Sequence, residues 1–185
     1  MNISTQQLNA TSKYLSFILR HKPDEIALNL NEQGWANIDE LIEKSAPKQQ
    51  LTPELIKEVV ITNDKQRFKL SDDGKKIRAN QGHSIKVDLN LSPSTPPATL
   101  FHGTAYRFVK SIESQGLKSM QRQHVHLSCD IETAKTVGRR YGQPVILQID
   151  AKAMSDQGYA FYQSDNGVWL TDVVPVEFIT RSQQQ

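Results

Sequence analysis

The run Leu91-Ser92-Pro93-Ser94-Thr95-Pro96-Pro97 constrains this chain more than any other stretch. Three of the five residues from 93 to 97 are proline, which fixes φ and removes a backbone donor. The stretch therefore reads as a linker over 93–97, with one lobe over 1–92 and a second over 98–185. A chain of 185 residues is long enough for two small domains.

The first lobe carries helical patterns. Tyr14, Leu15, Ile18 and Leu19 recur at helical spacing, with Ser12 as the expected N-cap. That helix ends before Lys22-Pro23, which leaves Arg20 and His21 at its C-terminus. Asp39–Lys44 and the segment opened by Thr52-Pro53-Glu54 are two further helices. Arg67–Leu70, the turn Ser71-Asp72-Asp73-Gly74 and Lys75–Arg78 form a strand–turn–strand pattern. Helices followed by a hairpin wing suggest a winged-helix module, with Trp35 in core packing. Ile85–Leu89 reads as one more strand.

The second lobe is richer in strand signals. Leu100–Ala105 is expected to be a short buried strand that ends in a polar turn at His102-Gly103-Thr104, with a helix beginning near Ala105. There Gly103 would let a ligand approach the backbone, while His102 and Thr104 offer hydrogen bonds. His124–Ser128 alternates, which puts His124, His126 and Ser128 on one face and Val125 and Leu127 on the other. Asp130–Val137 suits a helix running towards Gly138-Arg139-Arg140-Tyr141-Gly142, and Pro144–Ile149 a buried strand. Tyr159–Tyr162, Trp169–Thr171 and Val173–Ile179 add strand signals. The fold class is thus α+β, a winged-helix-like lobe followed by a β-rich one.

Charge and composition limit what such a chain does. A net charge of +2 is too small to predict a general affinity for nucleic acid, so an anion site must rest on a few clustered arginines. Arg20 stands at a helix end, Arg67 opens the wing and Arg139 and Arg140 lie beside a glycine turn, and arginine's planar fork matches phosphate oxygens. The residues alone leave open whether these arginines are a solvated surface or a phosphate site. The pair His124 and His126 could ligate a metal but lacks a third ligand, and no metal is expected. There is neither a G-x-G-x-x-G nor a P-loop. The single Cys129, the lack of any long apolar run and the N-terminal residues together point to a reduced, cytoplasmic setting without membrane contact. A monomer is the default.

Seven motifs in order carry a resemblance. They are Ser16-Phe17-Ile18-Leu19-Arg20-His21, Asn63-Asp64-Lys65-Gln66-Arg67-Phe68, Ile77-Arg78-Ala79-Asn80-Gln81-Gly82-His83-Ser84, Phe101-His102-Gly103-Thr104, His124-Val125-His126-Leu127-Ser128, Val137-Gly138-Arg139-Arg140-Tyr141-Gly142 and Trp169-Leu170-Thr171. From Leu15 to Ile179 the chain resembles the NAD-dependent RNA 2'-phosphotransferases of the transfer-RNA splicing type.

The resemblance implies an N-terminal winged-helix RNA lobe and a C-terminal lobe of the ADP-ribosyltransferase fold. It implies NAD+ as co-substrate and an RNA carrying an internal 2'-phosphate as partner. In the implied reaction that phosphate attacks the nicotinamide ribose and expels nicotinamide. The ribose 2''-hydroxyl then attacks the phosphate, releasing 2'-hydroxyl RNA and ADP-ribose 1'',2''-cyclic phosphate.

By the same resemblance Arg20, His21, Arg67 and Arg140 form the catalytic set. Arg140 is preferred over Arg139 because it stands two residues before Gly142. His102, Gly103 and Thr104 take the adenosine side of NAD+, and His126 and Ser128 the nicotinamide side. Val174 falls near the position where many protein-directed ADP-ribosyltransferases carry a catalytic glutamate. A related reading keeps the NAD chemistry but transfers ADP-ribose to a nucleic-acid phosphate end or a protein. A non-enzymatic winged-helix binder is the third.

Overall fold

The structure is a computed structural model describing residues 3–182, so residues 1–2 and 183–185, at the outer ends of the two expected lobes, lie outside the described residues. The chain mixes α-helices with small antiparallel sheets. It separates into two compact units, the first ending at Asn90 and the second starting at Leu91. Among the described residues no helix is long and apolar enough to cross a membrane.

The first unit opens with α1 (Thr5–Arg20), two turns longer than its apolar spacing suggests. Its N-cap is Ser4, whose hydroxyl accepts from the Gln7 N–H at 3.2 Å, and not Ser12. Ser12 is buried inside the helix, where its hydroxyl accepts from Asn63 Nδ2 at 2.9 Å. Leu15, Ile18 and Leu19 form the buried stripe. Against it pack α2 (Ile38–Ser45, capped by Asn37) and α3 (Pro53–Thr62, capped by Thr52). Burying such leucines and isoleucines stabilises the unit by about 1.5–3 kcal/mol apiece.

A small sheet closes this unit in the order β1 (Ala36–Asn37), β3 (Lys76–Ala79), β2 (Phe68–Leu70), all antiparallel. Two expectations need correction. Ile85–Leu89 is an irregular segment and not a strand, with the Asp88 N–H donating to the Glu32 carbonyl at 2.8 Å and Val87 and Leu89 buried. Trp35 is only half-buried, with the Arg78 guanidinium 4.8 Å above its ring.

The proline stretch belongs to the second unit. The Ser94 N–H donates to the Phe161 carbonyl at 2.7 Å and Pro96 is buried, so it is held at two points. Next, β4 (Thr99–Ala105) runs straight through His102-Gly103-Thr104, which is strand and not turn. After a short 3-10 turn come α4 (Val109–Gln115) and β5 (Leu117–Lys118).

The remaining elements are β6 (Val125–Leu127), α5 (Ile131–Arg139, capped by Asp130), β7 (Pro144–Asp150) and an unexpected α6 (Ala151–Asp156). They are followed by β8 (Tyr162–Gln163), β9 (Trp169–Thr171), β10 (Val173–Val174) and β11 (Ile179–Arg181). β4 pairs β7 over seven residues in a sheet of order β11-β7-β4. β6, β9 and β8 form a second sheet, tied to β4 by a bridge between Phe101 and Ser128. The core between them holds Leu100, Leu127, Leu147, Ile149, Met154 and Phe161.

Gly103 serves packing here. A Cβ on it would lie 1.6 Å from the Ala134 carbonyl oxygen of α5, and one on Gly138 would lie 2.6 Å from the Thr104 carbonyl oxygen. The two glycines let α5 rest directly on the β4 backbone. The close approach anticipated for a ligand at the Gly103 side-chain position is made by a helix.

Candidate functional site

In the first unit, Arg20, His21 and Arg67 line one cavity of about 400 Å³ with Lys13, Ser16 and Phe17. The local fold explains why. Arg20 is the last residue of α1 and His21 its C-cap, so both side chains leave where the helix ends. Arg67 immediately precedes β2, and its carbonyl accepts from the Asn80 N–H at 2.9 Å. The segment after β3 then returns to the helix end: the Ser84 N–H donates to the Arg20 carbonyl at 3.0 Å, and Ser84 Oγ lies 2.9 Å from His21 Nδ1. Gly82, at φ +90°, faces the Arg20 guanidinium, whose carbon would be 3.5 Å from an added Cβ.

His83 lies in the motif from Ile77 to Ser84 but has no role assigned to it by the sequence. It is 1% exposed, with neither ring nitrogen hydrogen-bonded. Burial first, then the positive charges of Arg20, His21 and Arg78, lower its pKa to about 4. The native state therefore keeps this imidazole neutral, while the unfolded chain protonates it near pH 6.5. Its contribution is fully present above about pH 6.5 and is lost as pH falls towards 4, a total of about 3 kcal/mol. Urea unfolding between about pH 7.5 and 4.5 is expected to show a shallower pH slope for His83→Gln than for the wild type. Equal slopes would contradict this.

In the second unit a second polar cluster forms on the strand edge. His102 is half-buried, and its Nδ1–H donates to the His126 carbonyl at 3.0 Å, leaving Nε2 as an acceptor. Burial holds its pKa below the usual histidine range, opposed by that hydrogen bond and reinforced by Arg122. His126 and Ser128 share the half-buried face of β6 and its continuation, opposite buried Val125 and Leu127. His124 is on the same face but turns to Asp172, 3.8 Å away, and to the Tyr162 ring. Among the described residues, no three His, Cys, Asp or Glu side chains come together so as to hold a metal ion.

Backbone geometry adds to this cluster. Phe101 exchanges both of its peptide hydrogen bonds with Ser128, at 2.8 Å each. By strand alternation the Gly103 N–H and C=O face the same edge. Thr104 is buried.

Arg20 and Arg67 come together, but Arg140 caps α5, exposed, with no side-chain hydrogen bond or ion pair to any described residue. The arginine standing at the histidines is Arg122, whose Nη1 lies 2.8 Å from His126 Nδ1. No periodic pattern marked it, because it sits in an irregular loop between β5 and β6.

Residues 6–173 match the profile of a family described as RNA 2'-phosphotransferase, Tpt1 / KptA family. The chain belongs to this family. It is 60% identical over 174 residues to a probable RNA 2'-phosphotransferase of Acaryochloris marina, covering 94% of this chain and 96% of that one. It is 56% identical to one of Pseudomonas fluorescens (96% and 98% covered) and 52% identical to one of Hahella chejuensis (95% of each). The family match takes in both polar clusters, from α1 to Val173.

Proposed function

We propose that this protein removes an internal 2'-phosphate from RNA by transferring it to NAD+. The observation that carries the reading is the convergence of Arg20, His21 and Arg67 on one cavity, in a chain that belongs to an RNA 2'-phosphotransferase family. The first unit, ending at Asn90, would be a winged-helix RNA lobe, supported by three helices followed by the β2–β3 hairpin. The second, starting at Leu91, would be an ADP-ribosyltransferase-like NAD lobe. The setting would be cytoplasmic and the protein a monomer.

The fit to NAD+ rests on the second cluster. Gly103 presents a peptide N–H and C=O at the β4 edge, the pattern that pairs with a primary amide, so it is assigned here to the nicotinamide end and not to the adenosine side that the resemblance implies. His102, Thr104, His126 and Ser128 add side-chain groups around it. The co-substrate supplies a ribose carbon whose nicotinamide can leave. No carboxylate is required of the protein to activate the nucleophile, since a phosphate monoester with a second pKa of about 6 is already largely dianionic at neutral pH. Buried Val174 agrees with that economy.

The residues of the first unit would hold the phosphate. Arg20 and Arg67 clamp its oxygens, and the same contacts stabilise the charge that builds at phosphorus when the 2''-hydroxyl attacks. His21 moves a proton during that second step, either from the attacking hydroxyl or to the leaving RNA oxygen. Ser84 Oγ, 2.9 Å from Nδ1, would hold the ring in orientation for that transfer. The test is nicotinamide release from NAD+ on adding RNA with an internal 2'-phosphate. No release, from folded protein, would refute the reading.

The fourth arginine is decided by comparison. Arg140 is the residue the family motif suggests, while Arg122 is the one bonded beside His126. Loss of one charge-assisted hydrogen bond to a reacting group is expected to lower kcat by roughly 10- to 150-fold. Arg122→Ala is expected to show this loss and Arg140→Ala to retain near-normal kcat. The reverse pattern would make Arg140, the choice of the family motif, the fourth arginine.

A further inference from the structure

One surface of the second unit has no part in either cluster. Tyr106, Phe108 and Tyr141 are 60%, 41% and 45% exposed, where β4 leaves the sheet and β7 enters it. The Tyr106 N–H donates to the Gln143 carbonyl at 3.0 Å, which holds the two segments together. Phe108 and Tyr141 meet edge to face with centroids 6.5 Å apart. The Arg107 guanidinium lies 4.7 Å from the Phe108 ring, and that of Arg181 lies 5.7 Å from the Tyr106 ring.

Charge at this surface is one-sided. The segments 104–112, 138–148 and 179–182 contain Arg107, Lys110, Arg139, Arg140 and Arg181 but no aspartate or glutamate. The whole chain is nearly balanced, with 22 Lys and Arg against 20 Asp and Glu, so the segregation is local. The aromatics are segregated too. Among the described residues the exposed aromatic rings are these three and Phe17, which lines the arginine cavity.

We propose that this surface binds single-stranded RNA, the nucleotides flanking the reactive 2'-phosphate, by stacking bases on Tyr106, Phe108 and Tyr141 while the arginines meet the backbone. Every base offers a π-face, so such a platform tolerates sequence, and arginines already seated over two of the rings can bridge to phosphates. An acidic protein partner would use the charge but not three exposed rings. The substrate role of that RNA rests on the function proposed above; the binding itself does not.

The test measures affinity of fluorescein-labelled single-stranded RNA with about ten nucleotides on each side of the 2'-phosphate, without NAD+. Tyr106→Ala/Phe108→Ala is expected to weaken binding about tenfold or more. Arg107→Ala/Arg181→Ala is expected to reduce the slope of log affinity against log salt by about 1.4. NAD+ affinity should match the wild type in both variants, and all these side chains are exposed, so thermal melting should too.

Unchanged RNA affinity in both variants overturns the proposal. Weakened NAD+ affinity would make the surface part of the cofactor site and overturn it as well. The two readings fail separately: patch-dependent RNA binding without nicotinamide release sinks only the function. Nicotinamide release with patch-independent binding sinks only this inference.

Discussion

Arg20→Ala should abolish RNA dephosphorylation while leaving NAD+ affinity nearly intact. Arg20 lies in the first unit, in the cavity shared with His21 and Arg67. Removing a guanidinium that makes two charge-assisted bonds to a phosphate costs about 3–6 kcal/mol, or roughly 10²- to 10⁴-fold in rate. Arg20→Lys should recover little, because an ammonium keeps the charge but loses the planar fork. Calorimetry of NAD+ binding beside single-turnover dephosphorylation separates the two effects. If Arg20→Ala lost NAD+ affinity and kept its chemical step, the division of roles between the two clusters would be wrong.

The largest effect on stability is expected from Gly103→Ala. The added methyl would stand 1.6 Å from the Ala134 carbonyl oxygen and 2.5 Å from its carbon, which are helix backbone and cannot rotate away. α5 must therefore lift off β4. Such overpacking costs about 3 kcal/mol or more, a large fraction of the 5–15 kcal/mol that holds a typical domain together. A fall in melting temperature on the order of 10 °C or more is expected.

Gly158→Ala is the control, since at φ +94° nothing lies within 4 Å of the added carbon. It meets only backbone strain, of about 1 kcal/mol. Comparable melting temperatures for the two variants would contradict the packing role of Gly103.

Some of this was legible in the chain and some was not. The apolar stripe of α1, the Thr52 cap of α3 and the hairpin depend on local spacing and turn chemistry, which a sequence displays directly. Ser12 misled because a serine before an apolar run looks like a cap, while the true helix starts with two polar turns from Ser4. His-Gly-Thr looked like a turn because its glycine is explained only by a helix some thirty residues further on.

In the candidate site, Arg20 and His21 were visible as a helix end. His83 and Arg122 were not, because burial under a guanidinium and a loop bonded to a strand are tertiary facts.

The central claim is a phosphate transfer to NAD+, and its products test it most directly. Purified protein is mixed with NAD+ and an RNA bearing one internal 2'-phosphate, and both the RNA and the small molecules are read by mass spectrometry. The account predicts 2'-hydroxyl RNA, nicotinamide and ADP-ribose 1'',2''-cyclic phosphate in equal amounts. ADP-ribose that stays on the RNA as the end product, or RNA that keeps its phosphate while the protein is folded, would contradict it.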